Sequence, residues 1–151
     1  MLDDESRAIL RQMQADPSLT MPELAARVGM TTARVTRRVD RLIDEGIIAG
    51  QQARINWAAL GFAVHVALRI TLDKTVARAF DEFLAAARQV PEVLEIQTFL
   101  GQVDVRLALM ARDLPHYQTL YRDSILTLPH IADIEALMTV ATVKQDEALP
   151  L

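Results

Sequence analysis

Three observations in the 151-residue chain predict an α+β protein built as two domains. Up to Gly46 the apolar residues recur at helical spacing. Beyond Gly61 they alternate, with two further helical stretches interrupting the alternation, and the segment between the two glycines follows neither period. The boundaries drawn from these changes are 1–46 for a helical domain, 47–61 for a linker and 62–151 for a mixed domain.

In the helical domain, Asp3 or Ser6 is placed to cap a first helix with Ile9, Leu10 and Met13 as its buried stripe, and Asp16-Pro17 ends it. Thr20 with Glu23 three residues on has capping-box spacing, and Pro22 falls in the first turn, where a missing N–H costs nothing. Leu24, Ala25 and Val28 give this second helix an apolar face, and Gly29 supplies the left-handed residue that turns the chain. Thr31 or Thr32 then caps a third helix whose Val35, Val39 and Leu42 point inward at i, i+4 and i+7. Two short helices around a glycine turn read as a helix-turn-helix, and with the first helix they make a winged-helix-like unit. The outer face of the third helix carries Thr32, Arg34, Thr36, Arg37, Arg38 and Arg41. With Thr31 at the cap, these are the candidate DNA-binding residues, because a guanidinium fork fits both a guanine edge and a phosphate.

Charge supports a local rather than a global affinity for nucleic acid. The formal net charge is −4, yet residues 27–41 hold Arg27, Arg34, Arg37, Arg38 and Arg41 against Asp40 alone. A positive stripe on an otherwise acidic protein steers phosphate without making the whole surface sticky. The chain has no cysteine, which excludes disulfides and thiolate metal sites and suits a cytoplasmic location. The acidic start, Leu2-Asp3-Asp4-Glu5, lacks the pattern of a signal peptide, and no apolar run approaches the ~20 residues of a membrane span. His65, His116 and His130 are far apart, with no metal-ligand spacing, so no metal site, catalytic group or cofactor is expected.

In the mixed domain, residues 62–72 alternate as a half-buried strand, and residues 75–89 read as a helix through Val76, Ala79, Phe80, Phe83, Leu84 and Ala87. Pro91 stops that helix. Residues 93–100 form a second strand, Gly101-Gln102 makes a tight connection, and a third strand runs through Val103, Val105, Leu107 and Leu109. Asp113 caps a second helix closed by Pro129, and residues 131–143 supply the last strand. The order βαββαβ is the ferredoxin-like unit, with both helices on one face of a four-stranded antiparallel sheet. The other face, expected to include Ala63, Ala67, Ala108 and Met110, has no cover within the chain, which points to self-association.

Together with this architecture, a series of short motifs resembles the Lrp/AsnC (leucine-responsive regulatory protein) family of transcriptional regulators. They include Leu2-Asp3, Glu23-Leu24-Ala25, Val28-Gly29, Arg37-Arg38-Val39, Glu45-Gly46-Ile47-Ile48, Leu60-Gly61, Pro91-Glu92-Val93, Gly101 with Asp104, Leu128-Pro129 and Ala148-Leu149-Pro150-Leu151. Each motif is short, and it is their order along the whole chain that is specific. The resemblance implies a homodimer formed through the sheets and assembled further into tetramers or octamers. It also implies an amino-acid effector at an interface between domains, beside the loop joining the second and third strands. By that match the effector candidates are Gly101, Gln102, Val103 and Asp104, with Ile134, Ala136 and Leu137 on the last strand. Asp104 is the acid expected to hold the ligand's ammonium group.

The chain departs from the family pattern where Gln102 and Val103 replace an acid or Asn and an aromatic. It departs again where Ile134, Ala136 and Leu137 replace hydroxyl residues, which implies a preference for apolar or aromatic amino acids. In the third helix Thr31-Thr32-Ala33-Arg34 stands where Ser-Pro-Thr-Pro is common, and Arg34 adds a donor there. The function implied is a sequence-specific DNA-binding transcriptional regulator responsive to an amino acid. The alternatives are a DNA-architectural protein of low specificity and an enzyme like the tetrapyrrole decarboxylases, a few of which share this two-part architecture.

Overall fold

The structure, a computed structural model, describes residues 2–145 and 148–151. The chain forms two compact units, one made of residues up to 54 together with residues 144–151, the other of residues 55–143.

The first unit contains α1 (Asp4–Ala15), α2 (Met21–Val28) and α3 (Thr32–Asp44). Asp3, not Ser6, caps α1, its carboxylate accepting the Ser6 N–H at 2.8 Å, while Ser6 itself is buried. Thr20 and Glu23 complete the capping box: the Thr20 hydroxyl accepts the Glu23 N–H at 3.4 Å, and the Glu23 carboxylate accepts the Thr20 N–H at 2.8 Å. Gly29, with φ 69°, closes α2 in the left-handed conformation that only glycine adopts without strain. Thr31 caps α3, and Gly46 at φ 70° ends it, turning the Ile47 and Ile48 N–H groups back onto the Leu42 carbonyl. Ile9, Leu24, Ala25, Val35, Val39 and Leu42 form the core, with Leu10 and Met13 only half-buried at its edge. Ile48, expected in the linker, packs against this core because the turn at Gly46 folds it inward.

Residues 144–151, expected with the mixed domain, group with the helices instead. The Leu149 N–H donates to the Gln14 side-chain oxygen at 2.8 Å, the Gln14 amide donates back to the Leu149 carbonyl at 3.3 Å, and Arg11 donates to the Leu151 carbonyl at 2.9 Å. These bonds lay the tail along α1.

The second unit contains β1 (Val64–Leu72), α4 (Ala79–Ala87), β2 (Val93–Thr98), β3 (Val105–Ala111), α5 (Leu114–Leu120) continued by a π turn (Tyr121–Ile125), and β4 (Ile131–Met138). The sheet is antiparallel in the order β2-β3-β1-β4. Val66, Leu68, Ile70, Val105, Leu107 and Leu109 pack on Phe83, Ala87, Ile125 and Leu128 from the helical layer. Several elements start later or end earlier than their periodicity predicts, β1 among them, which begins at Val64 rather than at residue 62. α4 starts at Ala79, because the Asp73 carboxylate accepts both the Thr75 N–H and hydroxyl, holding residues 73–75 in a turn. β2 ends at Thr98 and β3 starts at Val105, so the strand connection is a wide loop rather than the expected tight one. Its Asp104 N–H donates to the Ile70 carbonyl, and its carbonyl accepts the Phe99 N–H. Residues 139–143 carry no strand, β4 ending at Met138.

The sheet face away from the helices presents His65, Ala67 and Arg69 from β1, Arg106 and Ala108 from β3, Glu135 and Leu137 from β4, and Glu95 and Gln97 from β2. Ala63 lies before β1, and Met110, expected to be uncovered, is already buried within the chain.

Candidate DNA-reading helix and effector pocket

The pattern of α3 fixes which of its side chains are free to meet a ligand. Burying Val35, Val39 and Leu42 turns Ala33, Arg37 and Arg41 outward, with Thr32 and Thr36 on one flank and Arg34 and Arg38 on the other. Thr31 is committed to its cap, accepting the Arg34 N–H at 3.3 Å, and the half-buried Thr36 donates its hydroxyl to the Thr32 carbonyl at 2.9 Å. Thr32 is exposed at the first turn.

The arginines divide into two sets. Arg38, with 20% of its side chain exposed, donates to both Asp3 carboxylate oxygens at 3.0 and 2.7 Å, to the buried Ser6 hydroxyl at 3.2 Å and to the Glu5 carboxylate. The hydrogen bond from Arg38, followed by that from the Ser6 N–H, holds the Asp3 carboxyl well below the usual carboxylate range, and the Asp3 contact in turn raises the Arg38 pKa. Arg34 pairs with both oxygens of Glu5, at 2.6 and 2.8 Å. These contacts tie α3 to the first turn of α1; Arg34 keeps 53% of its side chain exposed on the outer face, as expected, whereas Arg38, expected there too, is half-buried against α1. By contrast Arg37 reaches only its own helix, donating to the Ala33 carbonyl at 3.4 Å, and Arg41 pairs with Glu45 one turn on at 3.1 Å. No periodic trace in the sequence marks Asp3, Glu5 and Ser6 as partners of α3, since they lie 29 to 35 positions from the arginines they hold.

In the second unit, Gly101, Gln102 and Val103 line a cavity of about 420 Å³ with Phe99, Leu100, Arg69, Arg106 and Leu137. Asp104 lies beside this group but is turned away from it. One carboxylate oxygen accepts the Leu72 N–H at 2.9 Å, the other stands 3.6 Å from Lys74, and the side chain is 18% exposed. The carboxylate thus takes the place of a ladder carbonyl where β1 passes the end of β3. Ile134 and Ala136 pair with Ile70 and Leu68 and share their helix-facing side, whereas Leu137 pairs with Ala67 on the open face. The period-2 alternation of a strand separates Leu137 from the other two, which corrects the expectation of one effector surface made by all three. Among the described residues, no group of three or more His, Asp or Glu is arranged to hold a metal, and no helix is long and apolar enough to cross a membrane.

The geometry agrees with comparisons across known proteins. The family model of the Lrp/AsnC ligand binding domain matches residues 65–149, and that of a winged helix-turn-helix DNA-binding domain matches residues 2–49. The chain is 31% identical to the leucine-responsive regulatory protein of Salmonella typhimurium, over 98% of this chain and 90% of that protein. It is 30% identical to the HTH-type transcriptional regulator Zrp of Zymomonas mobilis, over 99% and 97%. Among solved structures, a transcriptional regulator from Neisseria meningitidis in complex with L-Met superposes with a TM-score of 0.92 at 25% identity, covering 99% of this chain and 97% of that one. An AsnC family regulator from Agrobacterium tumefaciens gives 0.89 at 26% identity, with the same coverage. A helix-turn-helix DNA-binding unit joined to a ligand-binding βαββαβ unit, with a relative matched over 98% of the chain, places the chain in the Lrp/AsnC family of transcriptional regulators.

Proposed function

We propose that the chain is a cytoplasmic regulator that binds duplex DNA as a two-fold homodimer through the outward face of α3, and responds to an amino acid bound in the cavity beside the β2–β3 connection. The observation that carries this reading is the division among the α3 arginines. Arg37 and Arg41 project opposite Val35, Val39 and Leu42 and are tied to no other helix among the described residues. They are the side chains for base edges and phosphate, with Thr31, Thr32 and Thr36 at the flank. Arg34 joins them by exchanging Glu5 for a phosphate. Arg38 acts from behind, setting the angle of α3. The effector half rests on family membership, on the L-Met complex of the similar Neisseria regulator, and on the cavity at Gly101, Gln102 and Val103. The dimer rests on the open sheet face, where Ala67, Ala108 and Leu137 are small or apolar. Dimers pairing again into tetramers or octamers would present several helix pairs to one DNA.

The test compares duplex flanking the protein's own gene with random duplex at one salt concentration. We expect at least ~10³-fold preference for the former, protected in half-sites about 34–36 Å apart or a multiple of that. Equal affinity for both duplexes replaces the regulator with an architectural protein. A full-length chain that sediments as a monomer at micromolar concentration removes the dimer.

A further inference from the structure

Arg34 sits in the first turn of α3, the end of a helix where unpaired backbone N–H groups carry partial positive charge and a cation is out of place. α3 brings no acid of its own to that turn. The missing negative charge comes from another helix: both oxygens of Glu5, in the first turn of α1, accept from Arg34 Nη2, at 2.6 and 2.8 Å. Glu5 holds a second guanidinium as well. Its Oε2 accepts from Arg38 Nη2, while Arg38 Nη1 is kept by Asp3 and the Ser6 hydroxyl. The two arginines differ in exposure, with 53% of the Arg34 side chain in solvent against 20% of Arg38.

This arrangement lets one partner leave without stranding the other. If an incoming anion takes Arg34, Glu5 stays paired through Arg38, so the exchange breaks only an exposed ion pair and leaves no lone carboxylate behind. A DNA phosphate is the anion that fits, because it offers a guanidinium two oxygens as a carboxylate does, and the N-terminal end of a recognition helix is the part that meets DNA. We infer that Glu5 is an intramolecular stand-in for a DNA phosphate: it occupies Arg34 in the free protein, DNA displaces it, and the competition sets how tightly the protein holds duplex of any sequence. The preference for one sequence over another is untouched by it, since a phosphate contact carries no base information. The inference rests on the reading that the outward face of α3 meets DNA, and deepens it by naming the acid that competes there.

The experiment is a fluorescence-anisotropy titration of the full-length protein against labelled duplex flanking its own gene and random duplex of the same length, between about 50 and 200 mM salt. Glu5→Gln, which keeps an acceptor for Arg38, should tighten both duplexes alike, by about 3- to 5-fold. In an Arg34→Ala background the same change should be worth less than about 2-fold, because the arginine it frees is gone. Arg34→Ala alone should weaken both duplexes equally and lower the salt slope by about 1. Weaker binding by Glu5→Gln overturns the inference, since Glu5 then braces Arg34 for DNA rather than competing with it. An equal gain with and without Arg34 overturns it too, by reducing Glu5 to a charge repelled at a distance. Arg34→Ala decides the matter even where Glu5→Gln does not fold: a changed ratio between the duplexes makes Arg34 a base reader, and unchanged affinities leave it locked on Glu5 in the complex, and either outcome overturns the exchange. Arg37→Ala tells this failure from that of the underlying reading. If it weakens binding while Glu5→Gln changes nothing, only the inference falls; if Arg37→Ala and Arg34→Ala both bind as the unaltered protein does, the outward face of α3 is not the contact and both fall.

Discussion

The arginines of α3 and those of the open sheet face are both held by carboxylates, but on different terms. Arg38 is largely withdrawn from solvent and meets Asp3, Glu5 and Ser6 together, so its charge is committed. Arg69 and Arg106 keep 48% and 36% of their side chains exposed and have their acids to one side only. An exposed pair of that kind is worth at most about 1 kcal/mol and exchanges partners readily. A guanidinium surrounded by acceptors out of water loses much more when one partner is removed. Among arginines that look alike in a sequence, desolvation and the number of acceptors decide which ones build the protein and which remain available to a ligand.

The largest expected effect follows from setting Arg38 beside Arg37. Arg38→Ala removes bonds to three side chains of α1 and the packing of its own stem, and should destabilise the helical unit by about 2 kcal/mol, read as a lower midpoint in chemical or thermal unfolding. Arg37→Ala should leave that midpoint unchanged while weakening operator binding by ~1–3 kcal/mol if it reads a base edge. Equal unfolding midpoints for the two variants would erase the distinction between the committed and the available arginine.

Next in size is Asp104. Its carboxylate accepts the Leu72 N–H, so Asp104→Ala strands a donor beside a buried side chain and should cost about 1–2 kcal/mol of stability in the ligand-binding unit. Asp104→Asn keeps an acceptor oxygen and should cost much less. Because the Asp104 carboxylate is spent on the Leu72 N–H, effector affinity is expected to survive Asp104→Asn. A large loss of affinity without loss of stability would instead make Asp104 the ammonium anchor that the sequence pattern suggested.

How much of this was legible depended on how far each feature's causes lie along the chain. The capping box at Thr20 and Glu23, the turn at Gly29 and the inward triplet Val35, Val39 and Leu42 are set by residues within a few positions of one another, and periodicity finds them. The Asp3, Glu5 and Ser6 contacts to Arg34 and Arg38 join different helices, and the bonds of Gln14 to Leu149 span 135 positions, so neither has a local signature. The wide loop between β2 and β3 depends on Asp104 bonding across to β1, which strand alternation cannot reveal. The separation of Ile134 and Ala136 from Leu137 was legible. Strict alternation along β4 sends odd and even positions to opposite faces, and of these three it leaves Leu137 on the open side.

A smaller effect tests the committed set by acid. Because the Asp3 carboxyl is held below its ordinary value of 3.8, the stability it contributes is fully present above that value and is lost as pH falls beneath it toward the depressed value. Asp16, bonded to Ser18, and Glu23, bonded to Thr20, are lowered too and lose their contributions in the same direction. Unfolding midpoints should therefore change little on account of these groups between pH 7 and about pH 5, then fall steeply. In Asp3→Asn, part of that fall should disappear while the cap on α1 survives, since asparagine caps as well as aspartate. An unchanged acid slope would mean that Asp3 and Arg38 do not titrate as a pair.

The smallest expected effect concerns the pair Arg41 and Glu45. It joins two side chains that are 62% and 48% exposed, one turn apart, in the less favourable order with the cation nearer the helix N-terminus. Glu45→Gln should therefore shift stability by no more than about 0.5 kcal/mol. Its consequence should appear on DNA. Releasing Arg41 from a competing carboxylate and removing a negative charge from the side proposed to meet phosphate should raise affinity for operator and random duplex alike, leaving their ratio unchanged, because phosphate contacts carry no base information. Measuring both duplexes at one salt concentration separates this from a reading role. If Glu45→Gln alters the ratio, Arg41 touches a base edge; if it alters neither affinity, Arg41 lies outside the contact and α3 meets DNA through Arg37 and the threonine flank alone.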